Sequence, residues 1–116
     1  MIEVHNLFAG ISPEMREEVV QEILRTETFR IERIVSRGQA SPPGFWFNSE
    51  MEEWVLLVSG SATLCFDDGR KVDLMPGDHI LIPRHVRHRV ERTNPGNETV
   101  WLAVHYGGEN AFLTGA

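Results

Sequence analysis

Three of the chain's five histidines fall in one short stretch, Gly77-Asp78-His79-Ile80-Leu81-Ile82-Pro83-Arg84-His85-Val86-Arg87-His88. A tight turn at Pro76-Gly77-Asp78 feeds a short apolar strand, which stops at Pro83 and restarts just beyond it. Imidazole is both a common metal ligand and an acid–base group near neutral pH. A divalent ion usually needs about three protein ligands. What His88 can do therefore depends on the side chains that join it. Other signatures of chemistry are missing from the sequence: no phosphate loop, no nucleophile elbow and no helical metalloprotease motif.

The elements that must position these residues are mostly short strands. Residues 12–26 read as one helix, with Ser12 as N-cap, Pro13 at the first helical position and Glu14, Glu17 and Glu18 in the first turns. Met15, Val19 and Ile23 recur every four residues, and Val20 and Leu24 widen that stripe. From Phe29 the period becomes strand-like, through Val35. Strands are expected at Trp54–Val58, Ala62–Phe66, Arg70–Leu74, His79–Ile82, His85–Thr93 and Thr99–Tyr106. Turn signals separate them, among them Ser59-Gly60-Ser61, Asp67-Asp68-Gly69 and Asn94-Pro95-Gly96-Asn97. About seven short strands in series indicate an all-β sandwich or barrel. Residues 107–116 read as a frayed tail.

A chain of 116 residues makes one domain with a modest core, and its net charge of −6 disfavours nucleic acid as a partner. The local cationic stripe Arg84, Arg87, Arg89 and Arg92 reads as a solvated edge or as an anion-binding rim. Cys65 is the sole cysteine, so no internal disulfide forms, and it reads as an inert strand thiol. With no signal-peptide pattern and no apolar run of membrane-spanning length, a cytoplasmic protein without membrane contact is the expectation.

Gly77, Pro83 and His88 have the spacing of the second motif of the cupins, and Glu53 and Gly60 that of the end of the first. From about Glu32 to Tyr106 the chain therefore resembles a small single-domain cupin. His85 stands where the second motif has Gly, and Arg92 where it has Asn. The first motif's His-any-His pair would fall on Trp46 and Asn48 or on Phe47 and Ser49, so two usual metal ligands are missing. The resemblance implies a jelly-roll barrel over residues 29–106 with a cavity between two sheets, His88 as a metal ligand, and commonly a homodimer.

Within that resemblance, alternation puts Glu53, Val55 and Leu57 on the cavity side. A buried carboxylate must be paired, protonated or metal-bound. Pairing with Arg33 is one reading, ligation with His88 the other. Asn48 and His105 are the expected further metal ligands, and His85 a lesser one at the rim. Which face of the last strand points inward is open, because His105, Ala103 and Trp101 alternate with Tyr106, Val104 and Leu102. The expected function is binding of a small molecule, with one divalent metal (zinc, iron, manganese or nickel) as the expected cofactor. The alternative is a metal-dependent dioxygenase or isomerase acting on a small acid or sugar.

Overall fold

A computed structural model describes residues 1–108 as eight strands in two antiparallel sheets. The strands are β1 (Val19–Arg25), β2 (Phe29–Ser36), β3 (Glu52–Ser59), β4 (Ala62–Phe66), β5 (Lys71–Leu74), β6 (His79–Ile82), β7 (His88–Thr93) and β8 (Thr99–Tyr106). One sheet has the order β1-β2-β8-β3-β6 and the other β5-β4-β7. Apolar residues of both inner faces meet in a shared core of Val55, Leu57, Ala62, Leu64, Phe66, Leu74, Ile82, Trp101 and Ala103.

The helix expected over residues 12–26 is not present, and no helix occurs among the described residues. The capping chemistry at Ser12 is real but local: its hydroxyl accepts from the Glu14 backbone N–H, and its carbonyl accepts from that of Met15. That single turn does not propagate, since an isolated helix of this length is marginal in water. Beyond it the β-branched residues Val19, Val20 and Ile23 enter β1, which pairs with β2 from Val19 opposite Val35 to Arg25 opposite Arg30. The four-residue apolar spacing is coincidental with strand alternation interrupted by a bulge between Glu22 and Leu24. Among the described residues no helix is long and apolar enough to cross a membrane.

Two glycines carry the chain between the sheets. Gly60 turns β3 into β4 at φ +88°, and Gly77 leads from β5 into β6 at φ +93°. Both need the left-handed region that glycine occupies at no steric cost. They differ in surroundings: a Cβ on Gly60 would lie 2.6 Å from the Thr99 Cα, whereas one on Gly77 meets nothing within 4 Å. The expected strand from His85 begins instead at His88, because His85 itself has φ +65°. A histidine thus occupies a left-handed turn position where the family pattern has glycine.

Candidate functional site

A cavity of about 420 Å³ opens between the sheets. Strand alternation decides its lining. From β2, residues Arg30, Glu32 and Ile34 face it; from β3, Glu53 and Val55; from β8, Trp101 and His105. The opposite sheet contributes Leu64, Val90 and His88. Asn48 and Ser49 enter from the segment before β3, held close by paired hydrogen bonds between the backbones of Phe47 and His88 (2.7 and 3.2 Å).

Glu53 lies between two imidazoles. Its Oε1 is 3.3 Å from His88 Nε2, and its Oε2 is 3.9 Å from His105 Nε2. His105 Nε2 is hydrogen-bonded to Glu32 Oε1 at 2.8 Å, and Arg30 Nε lies 3.5 Å from Glu32 Oε2. The register explains the cluster: Arg30 is opposite His105 across β2 and β8, and His105 is opposite Glu53 across β8 and β3. Three neighbouring strands thus present one polar row, and His88 reaches it from the facing sheet. The ring of Phe47 stacks on His88 with centroids 5.5 Å apart, and Phe66 packs at 6.3 Å.

His88 Nδ1 lies 3.0 Å from the carbonyl oxygen of Val86, which fixes the ring and leaves Nε2 aimed at Glu53. Burial works to lower the pKa of His88. The Glu53 hydrogen bond, the Val86 carbonyl and the Glu53 charge outweigh it, so the net shift is upward from the usual 6.5. Glu53 is therefore paired, as a carboxylate in this setting must be. Its partner is not Arg33, which points to the other face and donates to the carbonyls of Leu7 and Ala9 and to the side chain of Gln21.

Of the residues expected at the site, Glu53, His88 and His105 come together, and the inward face of β8 is the one carrying His105. Asn48 borders the cavity from an exposed position. His85 is exposed and lies outside the lining, its backbone N–H bonded to the Ser49 carbonyl. Glu32 and Arg30 were not foreseen. Their signal was the alternation Arg30, Glu32, Ile34, which puts two charges on the face that also carries an apolar residue. The arginine stripe is tied to its own surface: Arg84 to Glu52 and Gly107, Arg87 over the Trp46 ring, Arg89 to Ser41, Arg92 to Ser61.

The resemblance to the cupins implies a divalent metal. The residue types suit one, since imidazole and carboxylate are both common ligands. The arrangement does not: among the described residues no group of three or more His, Cys, Asp or Glu side chains could hold a metal ion. Each imidazole Nε2 is directed at a carboxylate rather than at a common point. What the cluster can do as it stands is hydrogen-bond a polar ligand and share a proton between His88 and Glu53.

The sequence pattern of the cupin domain matches residues 34–105. A comparison with curated proteins finds no match. Among solved structures, a Ralstonia eutropha JMP134 protein provisionally named a mannose-6-phosphate isomerase shares 45% identity, with TM-score 0.86 over 90% of this chain and 98% of its own. A cupin with a double-stranded β-helix fold from Methanocaldococcus jannaschii shares 20% identity, with TM-score 0.70 over 98% of each chain. A polyketide cyclase from Streptomyces resistomycificus shares 22%, with TM-score 0.71 over 91% of this chain and 80% of its own. These last two establish the fold only. Two facing sheets around a cavity that carries a polar cluster, Glu53 and His88 at their motif positions, and a domain pattern spanning most of the barrel converge on one assignment: the chain belongs to the cupin family.

Proposed function

We propose that this cupin binds a small polar molecule in the barrel cavity, with the ligand's hydroxyl or carbonyl group against Glu53, His88 and His105. One observation carries the reading: Glu53 is shared by imidazoles from the two facing sheets at the wall of a cavity of about 420 Å³. Val55, Leu64, Ile82 and Val90 give the rest of the lining an apolar character. An apolar pocket with a few convergent polar groups is the usual form of a small-molecule site. Mannose and mannose 6-phosphate, titrated calorimetrically, are the first probes. Saturable binding that Glu53→Gln and His88→Gln each weaken at least tenfold supports the site. Binding unchanged in both variants removes it.

A second reading is isomerisation of a sugar phosphate, favoured by the provisional name of the Ralstonia eutropha relative. Moving a proton between adjacent carbons of a hydroxy-carbonyl compound needs a base and an acid within reach of both, and on this reading Glu53 and a protonated His88 take those roles. Deuterium uptake from D₂O into mannose 6-phosphate, lost in Glu53→Gln, is the test; absence of exchange in the wild type leaves binding as the function. No step is assigned to a metal. With no three ligands grouped among the described residues, an ion taken up here is expected to be held weakly and stripped by chelator.

A further inference from the structure

Among the described residues, the charged and ionisable side chains at the barrel cavity are Glu18, Arg30, Glu32, Glu53, His88 and His105. Arg30 alone is cationic at every pH, and it stands beside Glu32. His105 Nε2 is given to the same carboxylate, and its buried Nδ1 has no partner among the described residues. A second proton on that ring would be a buried donor without an acceptor. His88 Nε2 is directed at Glu53 Oε1. A proton on His88 still leaves the carboxylates in excess, three of them against Arg30 and one imidazolium. Glu53 Oε2 accepts no hydrogen bond among the described residues, with His105 Nε2 3.9 Å away.

We propose that the cavity takes a small ligand with an ammonium head and an apolar body, and rejects phosphate and carboxylate ligands. The inference rests on the binding function proposed above, gives its ligand class, and disfavours the sugar-phosphate alternative. The ammonium head donates to Glu53 Oε2, which has acceptor capacity to spare. Ile34, Val55, Leu64, Ile82 and Val90 cover the body. Phe47 and Trp101 also line the cavity, and aromatic faces attract cations. An anion has no such place. It would have to part Arg30 from Glu32 or lie unpaired among carboxylates. A metal ion is the poorer cation here, since among the described residues no three ligand side chains are grouped.

Benzylamine, benzyl alcohol and benzoate share one ring and differ in head-group charge at neutral pH. Titrated calorimetrically in the presence of EDTA, benzylamine should bind at least tenfold more tightly than benzyl alcohol, and benzoate more weakly still. Glu53→Gln keeps an acceptor but removes the charge, and should bring the amine-to-alcohol ratio of affinities down to near one. Glu32→Gln keeps an acceptor for His105, should lower that ratio at least threefold, and decides alone if Glu53→Gln does not fold. Benzyl alcohol or benzoate binding as tightly as benzylamine overturns the proposal, as does a ratio that neither variant lowers. Saturable binding of mannose without binding of benzylamine overturns it too, and leaves the binding function standing. If neither mannose nor any of the three probes binds, both fall together.

Discussion

The five-stranded wall brings Arg30, Glu32, Glu53 and His105 to the cavity, whereas the three-stranded wall brings Leu64, Val90 and His88. Both walls are antiparallel sheets with strand alternation, so the difference lies in which residue types the inward positions carry. On the larger sheet three adjacent strands place their polar residues in one cross-strand row, where each charge finds a neighbour. On the smaller sheet the inward positions of β4 are Ala62, Leu64 and Phe66, which fill space and exclude water. A buried carboxylate is tolerable on the first wall because His88 arrives from the second. The chemistry is concentrated on one surface, and its electrostatic balance depends on the other.

The joint between the walls offers the largest effect. Gly60→Ala adds both a left-handed penalty and a clash with the Thr99 backbone, and should cost about 2–5 kcal/mol in denaturant unfolding. Gly77→Ala meets open space, so only the conformational term applies, about 1–2 kcal/mol. Equal losses at the two positions would mean that the Thr99 contact does not constrain the joint.

Truncating each wall in turn separates shape from charge. Leu64→Ala should lower stability by about 2–3 kcal/mol, the lower part of the range for such deletions because the site already borders a cavity. Its effect on ligand binding should be smaller than that of Glu53→Gln. The reverse order would move the binding determinants to the apolar wall.

Acid–base coupling across the cavity gives a pH signature. The pKa of His88 is higher in the folded chain than its usual 6.5. The folded state therefore binds this proton more tightly than the unfolded state does. The resulting stability is fully present below about pH 6.5 and is lost as pH rises through the folded pKa. Melting temperature followed upward from pH 6 should fall in the wild type, and His88→Gln should flatten that limb. An unchanged profile in the variant would uncouple His88 from Glu53.

The smallest effect belongs to His85→Gly. Relief of a left-handed histidine and the entropy cost of glycine oppose each other, so stability should change by less than about 1 kcal/mol. Since His85 lies outside the lining, ligand binding should be unaffected. A loss of binding here would extend the site to the rim.

Most of the barrel was legible in the residues. Alternating apolar positions and the Gly60 and Gly77 turns located β3 to β8 within a few residues, and the motif spacing aimed Glu53 and His88 at each other. Those features are local: period, turn chemistry and distance along the chain. The N-terminal strand was not legible, because Met15, Val19 and Ile23 satisfy helical spacing and only the open edge of β2 selects the extended form. Nor was the polar row. Glu32 and His105 lie 73 positions apart, and their contact follows from the pairing register of β2 with β8. Sequence by itself determined which residues could line a cavity; tertiary structure decided which of them meet, because register and the facing of two sheets are properties of the assembled chain.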